Sequence, residues 1–518
     1  MMFRLFRIAV LPLLFVALVA SSCRQFPAPE AALPTPLYAP MIEPAQSAIF
    51  TATREVRALD FDGQSVWAAT AGGVLRWQNG KLTKWTRREG LPSNEAFDWE
   101  RADGKLWARF PTACARLDGA KWETQSAPEW KRRAPSALWN GQTVTADLDG
   151  LQIGDKTVTL PAQSGGTHIS ALLARGQVLL VAIYGDGLWR FDGKIWTRGP
   201  QVPGEAREIP ALAGDEKTLW IGTRRDGIFQ SLANGKWTNL AIPSDEPFGH
   251  NVQNLAEFDG VLWASTLDDS LIARTGKGWR HVTTPQISSS APRQMRVWGN
   301  RLYVRHGGGI VDAFDGASWQ KDVFQNIPRR GVYALAGNEK HLLAAGWGGW
   351  SEWDGAKWTG FYDLPGLKGV PVMNLALDGE DVWIGTQSRG LAKWTRKTGE
   401  LRFFDERDGL SDDWITALLV DGPRVWAGTF VGGLQVYENG KWRAFESTHS
   451  DNVTAIASDG KGGVWATTRH GLFHADASGA EKVGESWLDE EGQALCAGEN
   501  GLWVGTRTSL NFWEHQRN

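Results

Sequence analysis

Val382-Trp383-Ile384-Gly385-Thr386, followed by Gly390-Leu391 and then Trp394, is the stretch that decides the fold. Its pattern returns about every 40 residues along the chain. Aligned at the position of Trp383, the copies centre on Trp67, Trp107, Val144, Val181, Trp220, Trp263, Tyr303, Ala344, Trp383, Trp426, Trp465 and Trp503, at spacings of 37 to 43 residues. Four short strands with their turns use that length, so each copy reads as one blade of a β-propeller.

Within one copy the chain reads as an apolar strand ending at Leu377, the turn Asp378-Gly379 and a second strand from Val382 to Thr386. A loop containing Gly390, a third strand Leu391 to Trp394, a turn at Lys397 to Glu400 and an outer strand Leu401 to Phe404 complete it. Asn79-Gly80, Asp118-Gly119, Asp192-Gly193, Asn234-Gly235, Asp315-Gly316, Asp354-Gly355 and Asn439-Gly440 recur at one place in their repeats. Such dipeptides supply the positive backbone angles of tight hairpins. The chain holds 60 Gly and 29 Trp in 518 residues, and average usage of Gly is only about 7%. Trp85, Trp122, Trp196, Trp237, Trp279, Trp319, Trp358 and Trp442 follow the third turn of their repeats, where aromatic rings are expected to fill the wedge between twisted sheets.

Twelve repeats exceed the usual four to eight blades of one propeller. Two tandem rings of about six blades are therefore expected, with a division near residue 290, and one large ring is the alternative. The last repeat offers three strands, around Leu495, Trp503 and Phe512, before the chain ends. The β-prone segment 47–53 has no partner of its own and is expected to supply the missing outer strand. The repeat region thus runs over 47–518.

Ahead of it, Arg4 and Arg7 precede an apolar run from Ile8 to Ala20, too short to span a bilayer and read as an export signal over 1–22. Leu18-Val19-Ala20-Ser21-Ser22-Cys23 resembles a bacterial lipobox, which makes Cys23 the expected site of lipid attachment. The stretch 23–46 carries Pro27, Pro29, Pro34, Pro36, Pro40 and Pro44 and reads as an extended tether. The expected location is the bacterial cell envelope, periplasm or outer membrane, with contact to the membrane through the lipid alone.

A net charge of -3 and a pI near 6.3 give no reason to expect a nucleic-acid partner. Cys114 and Cys496 make neither a disulfide framework nor a metal cluster and read as small apolar side chains. His470 and His474 sit on a loop and an adjacent strand, where their spacing does not converge on a metal. Asp412-Asp413 and Asp489-Glu490-Glu491 lack the register of a calcium loop. No Gly-x-Ser-x-Gly elbow and no phosphate loop occurs. A noncatalytic protein without cofactor or metal is expected; a hydrolase or lyase built from carboxylates of distant blades is a further alternative.

The loops joining second and third strands, and those leading into each next blade, surround the central opening of a propeller on one face. They carry Arg224, Arg225, His306, Trp347, Arg389, Phe430 and His470, with Trp414 on an entering loop; these are the candidate ligand-binding residues. Tyr184, Asp186, Gln387 and Arg507 stand on the same loops, and Asn94, Asn251, Asp412 and Trp487 on entering ones. Trp347, Trp414 and Trp487 break the register of the other Trp and suit stacking against a sugar or a partner protein. The arginines could grip a carboxylate or phosphate through paired donors.

Val425-Trp426-Ala427-Gly428-Thr429, Gly432-Gly433-Leu434 and the preceding Asp408-Gly409-Leu410-Ser411-Asp412 resemble two-component-regulator propeller repeats. Good copies include Val66 to Val74 with Gly90-Leu91-Pro92-Ser93-Asn94, Leu219 to Ile228, Val382 to Leu391 and Leu502 to Thr506; the repeats at Val144, Val181 and Ala344 lack the anchoring Trp. The resemblance implies a propeller that senses a ligand outside the cytoplasm, often an oligosaccharide. No membrane-spanning helix, kinase or DNA-binding segment is read after the repeats, so what transfers is the fold and a tendency to bind. A ligand, an oligosaccharide being one candidate class, or an envelope protein is the expected partner. A scaffold role in an envelope or secretion assembly is the alternative.

Overall fold

The computed structural model describes residues 48–514 apart from 148–149, 162–163, 167, 204–207, 232–234, 241–245, 277, 450, 484–490 and 499–500. The export signal, Cys23, the tether and Trp487 lie outside the described residues. Twelve four-stranded antiparallel sheets are described, each with its strands in spatial order from the first to the fourth. They span 56–85, 98–126, 136–159, 169–198, 211–239, 252–282, 292–320, 334–362, 372–404, 415–444, 453–482 and 492–514, and are called blades 1 to 12 in that order. Each four-stranded sheet is one blade of a β-propeller. Blade 12 takes its fourth strand from the other end of the chain, because Ala48–Phe50 pairs antiparallel with the strand Leu510–Glu514, Ile49 opposite Asn511.

The Trp-x-Gly-Thr ending of the second strand has a separate physical reason at each position. The Trp position is core: Trp263, Trp383, Trp426 and Trp503 are almost wholly buried, as are Val144, Val181 and Ala344 where the Trp is absent. The Gly is a place of close approach. A Cβ on Gly385 would lie 2.9 Å from Ile415 at the start of the next blade, and one on Gly428 2.5 Å from Val453. The Thr closes the loop that follows, Thr386 Oγ1 donating to the Gly390 carbonyl (2.9 Å) while accepting from the Arg389 N–H (2.9 Å). Thr223, Thr266 and Thr429 donate across their own loops in the same way. Without that bond a buried hydroxyl would be left unsatisfied.

The glycine contacts also reveal how the blades close. Gly505 of blade 12 faces Val252 of blade 6, where a Cβ would come within 2.5 Å, and Gly222 of blade 5 faces Val56 of blade 1, within 2.4 Å. These repeat the contact that links consecutive blades. One apolar cluster joins Val56 and Ala68 to Ala211 and Trp220; another joins Val252 and Leu255 to Ala494 and Trp503. Blades 1 to 5 therefore close into one ring and blades 6 to 12 into another. Two rings of about six with a division near 290 were expected; five and seven are found, with the division between residues 239 and 252. The reason is that closure depends on which blade edges fit, a relation between distant residues that repeat length does not encode. The seven-bladed ring is discontinuous in sequence, since the whole five-bladed ring intervenes between Ala48–Phe50 and blade 6.

Aromatic rings fill the wedges between adjacent blades. Trp85 meets Trp122 (5.8 Å, 79°), Trp263 meets Trp319 (5.9 Å, 80°) and Trp383 meets Tyr437 (5.7 Å, 60°), each pair crossing from one blade to the next. The turns divide by chemistry. Asn79-Gly80 and Asn439-Gly440 have both residues at positive φ, whereas of Asp192-Gly193, Asp315-Gly316 and Asp354-Gly355 only the glycine does. There the aspartate stays in an ordinary conformation and its carboxylate accepts the backbone N–H groups two and three residues on. These are Asx turns rather than two-residue hairpins of the Asn-Gly kind.

Where the two rings meet, buried carboxylates pair with cations from the other ring. Glu246, ahead of blade 6, accepts from Thr53 N (3.0 Å), Thr53 Oγ1 (2.6 Å) and Lys84 Nζ of blade 1 (2.6 Å). Arg57 of blade 1 reaches Glu95 (3.2 Å), which also pairs with Arg507 of blade 12. Burial works to raise the Glu95 pKa, but Arg57 and Arg507 hold it below the ordinary carboxylate value. His250 Nε2 stands 4.0 Å from Glu55 ahead of blade 1, while its Nδ1 lies 2.7 Å from Asp268 in its own ring.

Candidate ligand-binding site

A repeated backbone bond builds the mouth of each ring. In seven blades a residue just after the second strand donates to the carbonyl of the residue sixteen positions earlier, just ahead of the first strand. In the five-bladed ring Ala71 bonds Glu55 (3.1 Å), Tyr184 bonds His168 (2.9 Å) and Arg224 bonds Glu208 (3.2 Å). In the seven-bladed ring Leu267 bonds Asn251 (3.0 Å), Gly307 bonds Ala291 (2.9 Å), Gln387 bonds Pro371 (3.3 Å) and Phe430 bonds Trp414 (3.0 Å). Each bond sets two side chains beside each other at the rim, so whatever residue types occupy these positions decide what the mouth presents.

The five-bladed ring encloses a cavity of about 930 Å³, lined by all five blades. Its wall includes Glu55, Arg57, Phe97, Asp98, Trp99, Trp130, Arg132, Arg133, His168, Tyr184, Glu208 and Arg224. Phe97 and Trp130 stack (4.5 Å, 11°), and the Arg57 guanidinium lies over Phe97 at 4.5 Å. His168 and Tyr184 stack in parallel (5.0 Å, 16°). Arg224 Nε stands 3.8 Å from Glu208, both side chains open to water. The hydrogen bond from Tyr184 to Glu208 holds the phenol above its ordinary pKa, with burial adding to it. Burial pushes the Asp98 carboxyl upward, against the lowering effect of the Trp99 N–H. Flat rings beside fixed charges suit recognition of a ligand with a planar or ring-shaped body and polar substituents.

Of the expected site residues, Arg224 lines this cavity and Arg225 is exposed on the same loop. Trp347, Arg389, Trp414, Phe430 and His470 stand on the seven-bladed ring instead, so the eight do not form one site. Trp414 and Phe430 stack closely (4.3 Å, 16°), and Asp412 holds the pair by accepting from Trp414 N (3.0 Å) and Val431 N (2.9 Å). Arg389 donates to the Gly366 carbonyl (3.0 Å) and lies over Phe403. His470 Nδ1 is 2.9 Å from Asp451, with its side chain 72% exposed. Trp347 is half exposed.

His306 departs from the expectation of a mouth residue, because its side chain is completely buried and its Nε2 lies 2.9 Å from Asp312. Asp312 also accepts from Ser288 N (2.7 Å), Ser288 Oγ (2.6 Å) and Asp322 N (2.9 Å). Burial works to raise its pKa, but the bonds from His306, Ser288 and Asp322 prevail and hold it at about 2. A carboxyl depressed in the folded state stabilises it fully above the unfolded value near 3.8, and that contribution is lost as pH falls toward about 2. The shift corresponds to about 2 kcal/mol. Acid titration of stability should therefore show a steeper loss below pH 4 in the wild type than in Asp312→Asn; equal slopes would refute the assignment.

Sequence reading missed Glu55, Arg57, His168, Glu208 and the segment Trp130 to Arg133. The sixteen-residue spacing from Tyr184 and Arg224 was available as a signal for His168 and Glu208. Trp130-Lys131-Arg132-Arg133 was visible as a basic run between blades, but nothing in the run says that it turns inward.

No protein-family model matches the chain, and no curated protein does. Among solved structures it is similar to the extracellular domain of a protein from B. thetaiotaomicron described as a hybrid two component system, with 17% identity, 89% of this chain and 70% of that chain covered, and a TM-score of 0.45. A second such extracellular domain from B. thetaiotaomicron gives 17% identity, 90% and 68% coverage and a TM-score of 0.46. PorZ, a surface component of the type-IX secretion system of Porphyromonas gingivalis, gives 13% identity, 91% and 87% coverage and a TM-score of 0.36.

Proposed function

We propose that the protein is an exported, lipid-anchored β-propeller that binds a ligand noncatalytically at the cell envelope, through the cavity of its five-bladed ring. The observation that carries this reading is the cavity itself: about 930 Å³, bounded by every blade of the ring and lined by stacked aromatic pairs beside charged side chains. That volume falls within the range of small-molecule sites. The export signal and Cys23 supply the route to the envelope and the anchor.

A thermal-shift panel of oligosaccharides, peptidoglycan fragments and small anions tests it, with Ala134→Trp as the control. Ala134 lines the cavity and is exposed, so the indole should occupy space without disturbing the core. A ligand at 100 times its Kd adds about 2.7 kcal/mol to stability. The expected result is a stabilising compound class whose effect vanishes in Ala134→Trp. A stabiliser that acts equally on both proteins would move the site elsewhere. Failure of the whole panel would count against the reading.

A second reading, a scaffold in an envelope assembly, is favoured by a different observation. Leu267, Ile310, Trp347 and Val431 are exposed apolar side chains, all on loops joining second and third strands of the seven-bladed ring. They therefore belong to one face, where they suit contact with a protein. A photocrosslinker placed at 347 in the intact envelope should capture one discrete protein under this reading.

A further inference from the structure

The charge balance of the cavity narrows the ligand class, and this step rests on the binding reading above. Trp130 to Arg133 lies on the segment between the outer strand of blade 2 and the inner strand of blade 3. Backbone bonds from Ala127 N to Thr112 O (3.0 Å) and Trp130 N to Pro111 O (2.7 Å), with Arg109 Nη2 on Pro128 O (3.1 Å), fasten the segment across blade 2. Trp130 is further fixed by its stack on Phe97. Arg132 and Arg133 are thereby held against the cavity, exposed to its solvent.

Four guanidiniums line the wall, those of Arg57, Arg132, Arg133 and Arg224, against three carboxyls, those of Glu55, Asp98 and Glu208. They are not equally committed. Arg57 is taken up by Glu55 (3.1 Å) and Glu95 (3.2 Å). Arg224 faces Glu208 loosely at 3.8 Å, and Arg133 reaches Glu100 at 3.5 Å with its side chain 64% exposed. Arg132 has no ion pair or hydrogen bond among the described residues. Arg132 is thus the wall guanidinium without a carboxylate partner among the described residues, and Arg133 and Arg224 are only loosely held, on a wall that also carries the Phe97–Trp130 and His168–Tyr184 stacks.

We infer that the cavity takes an anionic ring compound, its carboxylate held by Arg132 together with Arg133 or Arg224 and its ring laid against the aromatic wall. A planar guanidinium pairs with a carboxylate through two parallel bonds, and a ring face makes favourable contact with an indole or phenol. Neither feature alone selects the ligand; the juxtaposition does.

The test is calorimetric titration of the full chain with benzoate and glucuronate, with benzyl alcohol and glucose as their uncharged counterparts and inorganic phosphate as an anion without a ring. At least one carboxylate should bind, at least about tenfold more tightly than its uncharged counterpart and than phosphate, because charge-assisted hydrogen bonds contribute on that scale. Arg132→Ser, at an exposed position, should lose about that factor while keeping the wild-type melting temperature. Raising the salt concentration should weaken carboxylate binding. Benzyl alcohol or glucose binding as tightly as its carboxylate, unchanged in Arg132→Ser but abolished in Ala134→Trp, would overturn the anionic assignment while leaving the cavity as a binding site. Phosphate binding as tightly as both carboxylates would remove the ring from the assignment. Absence of binding by either carboxylate at millimolar concentration would also overturn it, and the wider panel with Ala134→Trp then judges the cavity separately.

Discussion

Replacing Trp383 by Ala should destabilise the seven-bladed ring by about 3 to 5 kcal/mol, the usual cost of truncating a large buried aromatic side chain. Trp383 is 2% exposed, lies 5.4 Å from Phe404 in its own blade and 5.7 Å from Tyr437 in the next, and carries Lys393 over its ring. The indole therefore fills the wedge between blades 9 and 10, and neither sheet can collapse into the gap without losing register with its other neighbour. In a closed ring that constraint acts on both sides of every blade. Urea unfolding is the measurement, and the transition of the five-bladed ring serves as an internal control if the two rings unfold separately. Trp414 provides the contrast. It is half-buried at the mouth and stacks on Phe430, so Trp414→Ala should cost only about 1 kcal/mol, the scale of an aromatic pair at the surface. Equal losses in the two variants would contradict the division between wedge and mouth.

A chain beginning at Thr51 should fail to hold blade 12 closed, while one beginning at Ser47 should behave as the intact ring. Three residues decide this. Ala48–Phe50 supplies the whole fourth strand of blade 12, and Phe50, 8% exposed, sits against Trp503 (5.9 Å) and Trp279 (5.9 Å) under the Arg274 guanidinium (4.2 Å). Loss of the phenyl ring alone is worth about 3 to 5 kcal/mol by the truncation scale. Removing the strand also leaves the edge at Leu510 to Phe512 without partners, and an uncovered edge invites pairing with other chains. Hydrogen exchange should show protection lost over 492–514 and then over blade 6, which meets blade 12 through Gly505 and Val252. Undiminished protection in the shortened chain would show that blade 12 closes with three strands.

Much of the fold was legible because it is local and repeated. A period near 40 residues, Asn-Gly and Asp-Gly turns and a Trp before a small residue and a Thr specify one blade at a time. Each of those signals acts over a few residues. The site was less legible. Arg224 was found because its loop is recognisable within one repeat, while Glu55, His168 and Glu208 escaped notice because they precede their blades and carry no motif. His306 shows the opposite error. Its loop position is that of a mouth residue, but an aspartate six residues on draws the imidazole inward.

By itself the sequence determined the blade: its length, its four strands, its turn chemistry and the small residues and threonine that follow the anchoring position. It also determined that the ends of the repeat region were incomplete alone. Tertiary structure alone decided that Gly222 closes on Val56 and Gly505 on Val252, hence five blades and seven, and that Arg132 faces a cavity rather than open solvent. The physical reason is range. Strand and turn preferences are set by neighbours in the chain, whereas ring closure and cavity lining depend on the fit of surfaces brought together from residues more than a hundred positions apart.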